Sequence, residues 1–135
     1  MSSKPETTYY RSIHKLLPKE LHCEKMNNPY RGGTADVWYS GMADDLWVEY
    51  KYIVKPPKRA PIIVANELSP LQLQWLRERH IEGRNVCVIL GTPLNGFIYE
   101  AREWETKHLY IDELTASGLT KQAVADYIRR RTMIT

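Results

Sequence analysis

The stretch that decides the fold is LWVEYKYIV, residues 46–54, in which apolar and aromatic residues surround one glutamate and one lysine. A run this apolar predicts a strand inside a sheet rather than at its free edge. Because side chains alternate across a strand, Glu49 and Lys51 share one face, opposite Tyr50. A carboxylate and an ammonium group are therefore neighbours on a strand that is otherwise suited to burial.

A second β-rich run, residues 34–40, precedes this strand, and the short acidic segment between the two predicts a hairpin. If the chain folds back about residues 42–43, positions whose numbers sum to 85 face each other, so Asp36 lies opposite Glu49. Directly opposed side chains have β-carbons about 4.5–5.5 Å apart. The pairing depends on this register, because a slip of one residue moves every side chain to the other face.

Two carboxylates at that distance repel each other unless a cation lies between them, and hard oxygen ligands select Mg²⁺ or Mn²⁺. Such a cation can activate water and offset the charge that grows on a phosphate, while a nearby lysine holds the water or stabilises the transition state. The ordinary alternative is that Glu49 and Lys51 form a solvent-facing ion pair. The apolar strand argues against it, since an acid embedded there needs a partner.

The rest of the chain predicts an α/β fold with a central mixed sheet flanked by helices. Ser69 and Pro70 are typical of a helix start, as the N-cap and the first helical residue. Further elements are predicted as helices at 7–17 and 120–131 and strands at 21–26, 85–90 and 96–101. We expect one domain over residues 1–135, with a core at about 7–101 and a C-terminal extension at 102–135.

Three motifs in this order resemble a known family. GTAD at 33–36 and WVEYK at 47–51 resemble the signature of the PD-(D/E)xK nuclease superfamily. SPLQLQWL at 69–76, followed by a glycine and an apolar strand, looks like the virus-type replication-repair (VRR-Nuc) branch of that superfamily. The resemblance covers about residues 33–91 and implies a restriction-endonuclease-like core.

The resemblance also implies roles for individual residues. It implies that Asp36, Glu49 and the backbone carbonyl of Tyr50 hold the metal. It further implies that Lys51 lies at the attacking water and that Gln72 is an auxiliary catalytic residue.

This sequence departs from the family pattern at two places. Ala35 takes the place of the proline that often precedes the aspartate. An acid often supplied by the first helix has no match, because residues 7–17 contain none. Glu20 and Glu24 flank that position, and Glu24, on the following strand, is the better assignment as a further metal ligand.

Composition narrows the class of protein. Apolar residues make up 43% and charged residues 26% of the 135 residues, as in ordinary globular proteins. No apolar run approaches the ~20 residues of a membrane span, and no signal-peptide core follows Met1, so we expect a cytoplasmic protein.

No glycine-rich phosphate loop occurs, so we expect no nucleotide cofactor such as ATP or NAD. Cys23 and Cys87 lack metal-ligand spacing and are expected to be reduced thiols.

A net charge of +3 is too small to indicate nucleic acid by itself, but its distribution says more. Lys55, Lys58 and Arg59, called the basic loop below, lie in a proline-rich segment directly after the central strand. Such a cluster suits a phosphate backbone, although clusters of this kind are more often solvated surface. Tyr30 and Arg31, in the loop before the hairpin, are further candidates for contact with DNA.

The leading interpretation is a metal-dependent endonuclease that hydrolyses DNA phosphodiester bonds, including those of branched or structured DNA. The alternative is a catalytically inactive module of the same fold that binds nucleic acid or protein. The intact acidic pair and lysine favour the enzyme, because a binding module need not keep them.

A homodimer is expected, because cutting both strands of a junction needs two sites related by a two-fold axis. The predicted interface is the C-terminal region, in which four apolar residues look exposed: Leu109, Ile111, Leu114 and Leu119. Otherwise this region caps the sheet of a monomer that nicks one strand at a time.

Overall fold

The computed structural model of the chain describes residues 4–26 and 32–135. Five strands form one sheet: β1 His22–Lys25, β2 Val37–Ser40, β3 Asp45–Tyr52, β4 Val86–Gly91 and β5 Phe97–Tyr99. The α-helices are α1 Lys4–His14, α2 Pro70–Ile81, α3 Glu103–Thr106, α4 Ile111–Ser117 and α5 Lys121–Met133, and a 3₁₀ turn spans Val64–Glu67. In these ranges, no helix combines the length and the apolar character needed to cross a membrane.

The sheet is mixed, with strand order β1-β2-β3-β4-β5. The first three strands form an antiparallel meander, β4 runs parallel to β3, and β5 runs antiparallel to β4. Parallel neighbours need a long crossover connection, and α2 lies in the one between β3 and β4. The predicted interior position of β3 is confirmed.

The predicted hairpin register is also confirmed. Val37 pairs with Val48 and Ser40 with Asp45, so paired numbers sum to 85. Asp36 is the residue directly before β2, and its carbonyl accepts a 2.7 Å hydrogen bond from the Met26 N–H. The short turn between the two strands sets this register, because it leaves no spare residue for a slip.

Helices cover both faces of the sheet. On one face, the Val48 and Tyr50 side chains are buried in a cluster with residues of α1 and α5, including Ile128. On the other face, Leu76 of α2 packs in a cluster with Val88. Glu49 and Lys51 alternate with the first set and therefore lie on the α2 face.

Two predictions need correction. The first helix spans Lys4–His14 rather than residues 7–17, which brings Glu6 into its first turn. Leu109 and Leu114 are fully buried rather than exposed, because they complete the core on the α2 face. The short helices α3 and α4 were not predicted, since segments of four and seven residues carry too little periodicity to detect. The division of the chain near residue 101 stays a prediction.

Candidate active site

The predicted pair of carboxylates meets at one end of β2 and β3. The Tyr50 N–H donates a 3.1 Å hydrogen bond to Asp36 Oδ2, so the Asp36 side chain reaches across to the neighbouring strand. Glu49, adjacent to Tyr50, is 1% exposed. The Asp36 carboxylate is half-buried, and its charge raises the pKa of the Glu49 carboxyl more than any other cause except burial itself.

Tyr50 is anchored through its side chain on the opposite face. Its hydroxyl lies 2.6 Å from the hydroxyl of Tyr39, and that hydroxyl lies 2.8 Å from Nε2 of His14. The Tyr50 phenol is fully buried. The contacts of the buried Tyr50 side chain therefore fix the position of its backbone. The carbonyl of Tyr50 stays the predicted third metal ligand.

The two oxygens of the Glu49 carboxylate differ in their contacts with the described residues. Gln72 Nε2 donates a 3.1 Å hydrogen bond to Glu49 Oε2, and Lys51 Nζ lies 3.6 Å from the same oxygen. Among the described residues, Glu49 Oε1 is buried without a hydrogen-bond partner. A buried carboxylate oxygen in this state costs free energy until a cation or a proton reaches it.

Gln72 is oriented by the cap of α2. Its side-chain oxygen accepts a 2.9 Å hydrogen bond from the Ser69 N–H, while its own backbone N–H donates to Ser69 Oγ at 3.1 Å. This reciprocal arrangement is a capping box. Because the amide oxygen is engaged at the cap, the amide nitrogen is turned towards Glu49. This contact links the N-terminus of α2 to β3.

The segment leading to Asp36 packs closely against the same helix. Gly33 has a φ of +96°, and a β-carbon at this position would collide with the backbone carbonyl of Leu71. Only glycine allows both the left-handed backbone and this approach. The glycine of the GTAD motif thus holds the Asp36 segment beside the start of α2.

The two carboxylates of the site repel each other, although a lysine lies beside each of them. The pKa of Glu49 is raised well above its usual value, first by burial and then by the charge of Asp36, while Lys51 opposes the rise. Lys25 Nζ of β1 lies 3.2 Å from Asp36 Oδ1. Each carboxylate therefore has one lysine, but a further cation would relieve their mutual repulsion.

The sequence reasoning missed two residues at this site, Lys25 and Glu6. Lys25 pairs with Val37, directly after Asp36, so an explicit β1–β2 register would have found it. Glu6 is 7% exposed, and its charge also raises the pKa of Glu49. The Pro5 beside it was the available signal, since proline is favoured in the first turn of a helix.

Other predicted site residues lie further out. Glu24 is half-exposed, and its carboxylate lies 3.0 Å from His22 Nε2 on the same strand. Its place in a metal site stays a prediction. Tyr30 and Arg31 lie outside the described residues. The basic loop is exposed and follows β3 directly, but its contact with DNA is untested.

The acidic residues fit a divalent cation of the magnesium type. In the described ranges, no three His, Cys, Asp or Glu side chains gather into a ready-made metal cage. Mg²⁺ needs no such cage, because it commonly takes one or two carboxylates and keeps several waters. The unpartnered Oε1 of Glu49 and the neighbouring Asp36 carboxylate supply oxygen ligands of the right kind.

Comparisons with known proteins agree with this architecture. No family model matches the chain, and neither does any curated protein. The five-stranded mixed sheet with flanking helices is the restriction-endonuclease-like fold. Among solved structures, the chain is similar to Archaeoglobus fulgidus Hjc, a Holliday junction resolvase from an archaeal hyperthermophile. The TM-score is 0.54 at 16% sequence identity, over 93% of this chain and 99% of that chain. At this identity the likeness establishes the fold.

Proposed function

We propose that this protein is a metal-dependent endonuclease that hydrolyses DNA phosphodiester bonds, with branched DNA as its substrate. One observation carries the proposal: a buried glutamate lies against a second carboxylate and beside a lysine, at the end of two central strands. A structural ion pair does not need the second carboxylate. A metal-dependent phosphodiesterase does, because it must hold a cation against the phosphate.

The proposed metal ligands follow from the contacts of Asp36 and Glu49 and from the motif resemblance. Asp36, Glu49 and the carbonyl of Tyr50 would hold the cation, and Glu6 of the first helix would take the role that the sequence analysis gave to Glu24. Glu6 is preferred because its charge acts on Glu49, whereas Glu24 is half-exposed beside a histidine. When bound, Mg²⁺ or Mn²⁺ supplies Lewis-acid chemistry to the phosphate and to water.

The remaining residues position the reacting groups. Lys51 keeps its ammonium 3.6 Å from Glu49 on a mostly buried stem, so it can donate a hydrogen bond to the attacking water or to a phosphate oxygen. Gln72 is a positioning residue, because it reaches the chemistry only through Glu49 Oε2. Its amide prevents the buried carboxylate from rotating away.

Two considerations support branched DNA as the substrate. A solved structure that shares this fold belongs to a Holliday junction resolvase. The motif resemblance to the VRR-Nuc branch also concerns replication and repair, and membership of that branch is part of the proposal. A homodimer follows as a further proposal, because a four-way junction presents two equivalent strands to cut.

A cleavage assay on linear, flapped and four-way DNA tests the proposal. With Mg²⁺ we expect cleavage of the branched substrates, and with EDTA none. Asp36→Asn and Lys51→Met should each reduce the rate by roughly 100-fold or more, the scale seen when one stabilising group is removed. Asp112→Asn, at an exposed aspartate on α4, is the matched control and should keep the wild-type rate.

The same assay separates the enzyme from an inactive binding module. Tight binding of branched DNA without cleavage at any concentration of Mg²⁺ or Mn²⁺ would favour the module. Full cleavage in EDTA would exclude the metal-dependent reaction.

A further inference from the structure

A cavity of about 540 Å³ opens beside the proposed active site. Its walls include Lys4 and Tyr9 of α1, Tyr52 at the end of β3, Thr92 after β4, and Lys121 at the start of α5. Ligand sites in proteins have volumes of roughly 300–1,000 Å³. The cavity is thus large enough for one small organic group with an anionic part.

The cavity lies next to the catalytic groups but on the other face of the sheet. Tyr52 follows Lys51 directly and pairs with Gly91, the last residue of β4. Since side chains alternate, Tyr52 points away from the side of Lys51 and packs 5.6 Å, centroid to centroid, from the ring of Tyr9. Glu6 lies one residue beyond Pro5, which also lines the cavity. A DNA strand bound at Lys51 therefore needs to pass only the end of β3 to enter the cavity.

The walls combine positive charge with aromatic surface. Lys4 of α1 and Lys121 of α5 line the cavity, and Lys121 is the first residue of α5, where the helix dipole disfavours a cation. The charges of these two exposed lysines add to that of the N-terminus of α5 and attract an anion. The half-buried ring of Tyr52 offers a flat surface of the kind on which nucleobases stack.

We infer that this cavity holds one unpaired nucleotide next to the scissile phosphate, with its base on Tyr52 and its phosphate near Lys4 and Lys121. The inference rests on the proposed nuclease function and deepens it. A base inside a duplex is stacked and paired, so it must leave the helix at an energetic cost to fill the cavity. Unpaired nucleotides at a branch or in a flap are already outside the duplex, so they do not carry this cost. The cavity therefore selects branched over continuous DNA.

The test measures binding separately from cleavage, in the Glu49→Gln background. Flapped DNA with 2-aminopurine at the first unpaired position is titrated, and fully paired duplex serves as the comparison. Tyr52→Leu should weaken flap binding about tenfold and abolish the fluorescence change, because base stacking of this kind contributes on that scale. Tyr52→Phe keeps the ring and should retain both, and neither variant should alter duplex binding more than about twofold.

The lysines are tested by their salt dependence. Lys4→Gln with Lys121→Gln should reduce the slope of log K against log salt by about 0.7 for each phosphate that is no longer neutralised. Lys15→Gln with Lys19→Gln is the matched control, since these exposed lysines lie just beyond the far end of α1 and should leave the slope unchanged.

The possible failures are distinguishable. If wild-type protein cleaves branched DNA with Mg²⁺ but Tyr52→Leu weakens flap and duplex binding equally, the cavity inference is overturned and the nuclease stands. The same holds if the two lysine pairs behave alike. If the wild-type protein neither binds nor cleaves DNA, both the inference and the proposed function are overturned.

Discussion

Replacing Glu49 by glutamine should make the metal-free protein more stable at neutral pH. Glu49 is 1% exposed, and its Oε1 is without a hydrogen-bond partner among the described residues. An unsatisfied buried polar group costs about 1–3 kcal/mol. The glutamine amide has the same shape, can still accept from Gln72 and can donate towards Asp36. We expect the free energy of unfolding to rise by ~1–3 kcal/mol and Tm by roughly 4–10 °C.

The pH dependence of this gain has a definite sign. The pKa of Glu49 is raised in the folded protein, by burial first and by Asp36 second. Below the unfolded pKa of glutamate, about 4.3, both states are protonated and the charge costs nothing. As pH rises above the unfolded pKa, the unfolded state ionises first and the folded protein loses stability relative to it. This loss is complete above the pKa of Glu49 in the folded protein. Glu49→Gln should therefore differ little from wild type near pH 4 and exceed it most above neutrality.

Magnesium should reduce the stability advantage of Glu49→Gln over the wild type. A ligand at about ten times its Kd adds ~1.4 kcal/mol to the folded state that binds it. Wild-type protein should gain this amount in Mg²⁺, whereas Glu49→Gln should gain little. Thermal unfolding by circular dichroism between pH 4 and 8, with EDTA or Mg²⁺, measures each effect. If Glu49→Gln is less stable than wild type by a constant amount at every pH, the argument from buried charge is refuted.

Four further outcomes are expected. Gln72→Leu removes the amide that holds Glu49, so kcat should fall roughly 10–100-fold with KM unchanged in steady-state cleavage; an unchanged kcat would make the hydrogen bond incidental. Lys25→Met removes the cation beside Asp36, so calorimetry should show several-fold tighter Mg²⁺ binding; equal or weaker affinity would contradict competition between lysine and metal. Neutralising the basic loop should lower the salt slope of duplex binding by about 0.9 for each phosphate that it neutralises, and an unchanged slope would place the loop away from DNA. Light scattering at micromolar concentration should show a dimer, and a mass of 15.8 kDa with and without DNA would exclude it.

Strand alternation, hairpin pairing and helix capping predicted the secondary structure around the site. The alternation in LWVEYKYIV placed Glu49 and Lys51 on one face, and the short turn before it set the register opposite residues 37–40. Ser69 and Pro70 marked the start of α2 correctly. These features depend on neighbouring residues along the chain or across one tight hairpin, so the sequence contains nearly all the information they need.

The same rules failed where distant segments meet. Leu109 and Leu114 looked exposed because nothing nearby in sequence reveals the sheet face that they cover. Glu6 was missed because a helix start is hard to locate within a few residues, and its approach to Glu49 depends on how α1 packs on the sheet.

The sequence by itself determined the pairing of an acid with a lysine on an interior strand, because strand alternation is a property of backbone geometry. It limited where a second acid could lie, since a two-strand hairpin has few registers, and the structure then confirmed the register that puts Asp36 opposite Glu49. Only the tertiary structure decided that Glu49 is buried, held by Gln72 from a separate helix and left with one unpaired oxygen among the described residues. Burial and through-space charge depend on the packing of separated segments, and these are the properties on which the proposed metal site depends.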